Sequence, residues 1–180
     1  MEKKIAILRG INVGGKRKIL MKDLKALCEK QGFENTQTYI QSGNVIFEDT
    51  KGSSPTEQEA KLEKAIFDSY GFEVPVIIRT AAELSTAIQE NSFYQEGRDI
   101  SQLHLTFLKE KPSQENKEVL LAYNYEPDEY VLNGQEVFVY CEGKYHKSKL
   151  SNTFFEKKLK VGATTRNWKT VLKLLELSQS

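Results

Sequence analysis

Chemically specialised side chains are scarce in this chain: two His, two Cys, two Met and one Trp among 180 residues. Cys28 and Cys141 stand far apart, and His104 and His146 join no cluster. The ordinary zinc-ligand spacings and any disulfide framework are thereby excluded, and no metal site is expected. Two lone cysteines among apolar neighbours read instead as buried free thiols of a reducing compartment. Long hydrophobic runs are missing too, since none approaches the ~18 residues of a membrane-spanning helix. Met1-Glu2-Lys3-Lys4 leads into only four apolar residues before Arg9, too few for a secretory signal. The expectation is a cytoplasmic protein with no membrane partner.

Net charge is nearly absent at +1, but it is unevenly laid out. Residues 1–25 carry a surplus of six basic groups, and residues 141–180 another surplus of six. Residues 80–140 run a deficit of seven. Should folding bring both ends together, a near-neutral protein gains one positive face; otherwise these are ordinary solvated lysines. Apolar residues at 39% and charged residues at 28% make a globular balance, and 180 residues suffice for one substantial core or two small ones.

The apolar pattern spells a repeated element order. Residues 3–9 alternate as a strand, and Met21, Leu24, Leu27 and Cys28 share one helical face before Gly32. Residues 37–40 and 45–48 read as strands around a polar turn. Thr56 with Glu59 suggests a capping box for a helix over 57–70, and 74–78 reads as a strand with Pro75 at an edge. This βαββαβ order is ferredoxin-like. Ala81 to Glu90 reads as a linking helix. The second half then repeats β-α-β-β-α, with Asn133-Gly134 as a hairpin turn, and a closing helix over 167–177 stands where a last strand would come. The chain is read as α+β, two tandem ferredoxin-like or derived subdomains over 1–79 and 80–180. A single larger mixed sheet is the alternative.

Three segments carry candidate chemistry. Arg9-Gly10-Ile11-Asn12-Val13-Gly14-Gly15-Lys16-Arg17-Lys18 packs three glycines and four basic side chains into ten residues. Such a stretch can offer turn amides to an anion inside positive charge. Its spacing is neither a dinucleotide fingerprint nor a phosphate loop ending in Gly-Lys-Ser/Thr, so a nucleotide triphosphatase is a poor match. Gln41, Ser42 and Asn44 place two amides and a hydroxyl at the turn of the first hairpin, with Gly43 expected in a left-handed conformation. Topology alone does not say whether that turn meets the glycine-rich loop. Thr165-Arg166-Asn167-Trp168 precedes the last helix: Thr165 could cap it, Arg166 could grip an anion, and Trp168 either stacks on a ring or anchors the helix. His146, in the polar stretch Tyr145-His146-Lys147-Ser148-Lys149, is the one histidine placed for acid–base work, whereas His104 reads as a strand residue. No nucleophile, base and orienting acid form a recognisable set.

Leu8 to Lys16, Tyr39 to Phe47 and Thr165 to Trp168 together resemble the bacterial family catalogued as domain of unknown function 1697. The resemblance implies two ferredoxin-like subdomains and brings no catalytic residue, substrate or cofactor with it. The family's motifs fall here on Arg9, Gly10, Asn12, Gly14, Gly15, Lys16, Gln41, Ser42, Gly43, Asn44, Arg166, Asn167 and Trp168. The functional expectation is a module for a phosphate-bearing ligand, a nucleotide-like small molecule or nucleic acid. Gly14, Gly15, Lys16 and Arg9 would hold phosphate, Arg166 would clamp it, and Gln41 and Asn44 would read a polar ring edge. An enzyme working in an interdomain cleft with His146 or an unknown cofactor, and a structural or protein-interaction module, are the rival readings. The fold by itself chooses none of them.

Overall fold

A computed structural model describes residues 3–50 and 52–180. The chain divides into two units, Met1–Ser85 with Leu174–Ser180, and Thr86–Lys173.

The first unit runs β1 (Lys3–Leu8), α1 (Met21–Lys30), β2 (Glu34–Tyr39), β3 (Asn44–Glu48), α2 (Pro55–Tyr70) and β4 (Val76–Thr80). Its antiparallel sheet has the order β2-β3-β1-β4. Ala6, Leu8, Val45, Phe47, Val76 and Ile78 supply the sheet's side of one core. Leu24 and Cys28 from α1 and Leu62 and Ile66 from α2 close it. Burial pushes the Cys28 thiol up to about 12, with Glu29 adding to the effect, so it stays protonated and inert. The helix α2 begins one residue pair earlier than the pattern predicts. Ser54, not Thr56, is the cap, and its side chain and backbone exchange hydrogen bonds with Glu57. Pro55 favours that start, because a first-turn proline forfeits no helical hydrogen bond. Gly71, with φ +74, ends the helix.

The second unit holds β5 (Leu103–Leu108), α4 (Gln114–Leu121), β6 (Glu129–Asn133), β7 (Glu136–Tyr140), α5 (Asn152–Leu159) and β8 (Ala163–Asn167), in the sheet order β6-β7-β5-β8. Between the two sets lies α3 (Ala81–Glu90), and α6 (Trp168–Gln179) closes the chain. Both units are thus βαββαβ, and the expected absence of a last strand in the second half is corrected by β8. That segment, Ala-Thr-Thr-Arg-Asn, has a single aliphatic side chain and no apolar alternation. It becomes a strand because the free edge of β5 takes it up. Thr165 therefore lies within β8, and the cap of α6 is Asn167, whose Oδ1 accepts the Thr170 amide at 2.9 Å.

The repeat extends to single hydrogen bonds. Leu8 N–H donates to the Gly43 carbonyl (2.9 Å) as Leu108 N–H donates to Gln135 (2.8 Å). Arg9 N–H reaches the Pro75 carbonyl and Lys109 N–H that of Gly162, each at 2.9 Å. Arg79 stands opposite Ile5 and Arg166 opposite Leu105; both are buried, and each donates from Nη1 to the carbonyl before it at 3.0 Å. Edge strands need their outward amides covered. Glu63 and Glu59 of α2 accept Val76 and Ile78 N–H at 2.8 Å each, while Glu156 and Asn152 of α5 take Ala163 N–H and the Thr165 hydroxyl.

Candidate functional site

Because this frame occurs twice, the connections can be compared pairwise. From β1 to α1 the chain spends residues 9–20, twelve of them, whereas 109–113, five residues, join β5 to α4. The hairpin turn has four residues, 40–43, in the first unit and two, 134–135, in the second. Antiparallel pairing puts both lengthened segments at the same end of the first sheet, since Ile7 faces Asn44 and Leu8 bonds Gly43.

The long loop has a packed base and a projecting tip. Ile11 and Ile19 are buried in the core. Between them, Val13 and Lys16 bridge around Gly14 (φ +58) and Gly15 (φ +74), with Lys16 N–H donating to the Val13 carbonyl at 3.0 Å. Two successive left-handed residues are the signature of a tight type I′ turn, which glycine adopts without steric cost. Nothing stands within 4 Å of a Cβ added at either glycine, and both residues are exposed. Asn12 organises the base. Its Nδ2 donates to the carbonyls of Ile19 and Gln41 at 2.9 Å each, and its Oδ1 accepts Ile19 N–H at 2.9 Å. One carboxamide thereby ties both ends of the loop to the hairpin turn.

The turn answers with close packing. Gly43, at φ +84, is buried against Ile11 and Leu8. Asn44 is fully buried, and its Nδ2 donates to the Tyr39 carbonyl (3.0 Å) and the Ser42 hydroxyl (3.2 Å). Ile40 is exposed in the left-handed region at φ +51, a strained place for a β-branched residue. So the glycine-rich loop and the polar turn do meet, and Asn12, Gly43 and Asn44 act as their joinery.

What remains outward is cationic and aliphatic. Lys16, Arg17 and Lys18 are exposed and form no ion pair among the described residues. The Arg17 guanidinium leans over Gly10, where an added Cβ would stand 3.3 Å from Nη1. The side chain of Gln41 is exposed, Arg9 and Ser42 are half-buried, and Val13, Leu20 and Ile40 are exposed large apolar residues beside them. Sequence reading gave no sign of that aliphatic rim, because isolated valine and leucine in a loop look like core.

The third sequence motif belongs to the second unit. Trp168 is fully buried and its ring lies 5.1 Å from that of Tyr94, an anchoring position. Arg166 is buried within β8, and burial lowers its guanidinium to about 10, still charged at neutral pH. Its counterpart Arg79 was missed; the legible signal is an arginine directly before a helix-capping residue, Thr80 or Asn167. His146 is exposed on a short 3-10 turn over Tyr145–Lys147. His104 is a buried strand residue stacked on Tyr145 at 4.5 Å. Among the described residues, no helix is long and apolar enough to cross a membrane.

The fold is shared with a solved structure, the conserved bacterial protein SP0830 from Streptococcus pneumoniae. That likeness has a TM-score of 0.75 and 24% identity over 98% of each chain. No curated protein matches. A family model described as "Protein of unknown function (DUF1697)" matches residues 1–138, more than half of the chain. With its repeated βαββαβ frame and its glycine-rich loop, the chain belongs to that family.

Proposed function

We propose that the tip of the 9–20 loop, backed by the 40–43 turn, binds a phosphate-bearing ligand in the cytoplasm, either nucleic acid or a nucleotide-like molecule. One observation carries this reading. The shared frame closes the same connection with five residues in the second unit, whereas the first unit spends twelve and leaves at the tip two exposed glycines and three exposed cations that form no ion pair among the described residues. Anions favour such concentrations of donors and positive charge. Gly14 and Gly15 offer amides, and Lys16, Arg17 and Lys18 offer charge. Arg9 and Gly10 sit at the root, Asn12, Ser42 and Asn44 hold the shape, and on this reading the exposed side chain of Gln41 is the one that reads a ring edge.

The test is anisotropy of a fluorescent single-stranded oligonucleotide, and a nucleotide panel in competition, at two salt concentrations. Nucleic-acid binding predicts affinity that falls steeply with salt, with a logarithmic slope of about −0.7 per neutralised phosphate on a single strand. Saturable binding of a mononucleotide with shallow salt dependence selects the small-molecule form. No binding to either class overturns the reading.

A further inference from the structure

The same internal comparison marks a second place, at the other end of the second sheet. From α4 to β6 the chain spends seven residues, 122–128, against three, 31–33, in the first unit. From β7 to α5 it spends eleven, 141–151, against six, 49–54. These two lengthened connections supply the whole lining of an open cavity of about 470 Å³: Asn124, Tyr125, Glu126 and Asp128 from one, and Lys147, Ser148 and Lys149 from the other. That is within the size range of small-ligand sites.

The walls are fixed before any ligand arrives. Asp128 uses one carboxylate oxygen on Glu142 N–H (3.0 Å) and the other on the Ser148 hydroxyl (2.5 Å). Ser148 in turn accepts Leu150 N–H at 3.1 Å. Tyr145, two positions before Lys147, is stacked on His104, and the Lys149 ammonium lies 5.2 Å from the centre of the Tyr125 ring. Asp128 and Ser148 are therefore spent on architecture. The charged groups that the lining offers a ligand are the ammonium of Lys147 and that of Lys149 beside the Tyr125 ring from one connection, and from the other the Glu126 carboxylate, whose Oε1 accepts from Asn124 Nδ2 at 3.1 Å.

Two cations and a carboxylate in the lining of one small cavity suit a ligand bearing both signs. A simple anion would meet the lysines but be repelled by Glu126, and a simple cation would meet the reverse. We infer that this cavity takes a free α-amino acid, with its carboxylate on Lys147 and Lys149, its ammonium on Glu126 and its side chain against Tyr125. Nothing in this site depends on the loop of the first unit.

Calorimetric titration of the full chain with glycine, L-glutamate and L-lysine tests it, with acetate and inorganic phosphate as probes bearing negative charge alone. The Glu126→Gln and Lys147→Gln variants, both at exposed positions, are run alongside with their melting temperatures. The expected result is saturable binding of at least one amino acid, weakened about tenfold by either substitution, the scale of one lost charge-assisted contact. Failure of all three amino acids to bind overturns the inference. So does amino-acid binding that neither substitution weakens. Binding that Glu126→Gln strengthens and acetate or phosphate reproduces also overturns it, because the site then reads negative charge alone.

Discussion

A Cβ placed on Gly43 would stand 2.5 Å from Cδ1 of Ile11, closer than packed carbon atoms come. The hairpin turn and the glycine-rich loop are in contact through a position that admits no side chain. Gly43→Ala therefore faces two penalties, a left-handed backbone at φ +84 and a clash with two buried neighbours, Ile11 and Leu8. The combined loss is about 2–4 kcal/mol in urea unfolding. Gly14→Ala and Gly15→Ala, which meet open space, lose only the backbone share of about 1–2 kcal/mol each.

Asn12→Ala deletes three hydrogen bonds at once and strands the Ile19 N–H in a half-buried setting. Its stability falls by about 2–4 kcal/mol on the usual scale for unsatisfied groups. Asn12→Asp keeps the acceptor toward Ile19 N–H and loses both donations. Both variants should loosen the 12–19 segment, seen as faster amide exchange there than in β3.

Acid sensitivity has a named source in His104. Burial, only partly offset by the Gln102 backbone, lowers its pKa below the ordinary 6.5. Between the folded and unfolded values, the unfolded chain holds a proton that the folded chain does not. Stability contributed by the neutral ring is full above the unfolded pKa and declines as pH drops below it. Denaturant midpoints measured from pH 8 to pH 5 should fall, and His104→Phe should flatten that slope. An unchanged slope in the variant would assign the acid loss elsewhere.

The edge strand β4 relies on two glutamates four residues apart. Glu59→Ala leaves the Ile78 N–H without its 2.8 Å partner in a buried place, for about 1–3 kcal/mol. Ser54→Ala, at the exposed cap of α2, costs about 1 kcal/mol. Thermal melts of the two variants should rank in that order.

Much of this was legible in the residue pattern. The apolar run of β1, the alternation of β5, glycine at 71 and Asn133-Gly134 each encode local geometry through side-chain pattern or backbone freedom. β8 was not legible, because Ala-Thr-Thr-Arg-Asn carries no alternation and its strand state is imposed by pairing with β5. The start of α2 was misplaced by two residues because Thr56/Glu59 and Ser54/Glu57 both fit the capping-box spacing, and Pro55 decides between them. At the candidate site, the glycines and cations could be read directly. The contact between loop and turn could not, since the Asn12–Gln41 bond spans 29 positions and depends on which end of the sheet each connection occupies. The shared Arg79 and Arg166 positions emerge only once the two registers are laid side by side.

The most direct test of the account is the isotherm of a fluorescent single-stranded oligonucleotide and of a mononucleotide panel on the Lys16→Ala/Arg17→Ala/Lys18→Ala triple variant beside the unaltered chain. All three side chains are exposed, so the fold should melt at nearly the same temperature in both. If the loop tip holds phosphate, whichever ligand the unaltered chain takes is lost or weakened by at least tenfold, and for the oligonucleotide the salt slope drops by about two. Equal affinity and equal slope in the two proteins would contradict it.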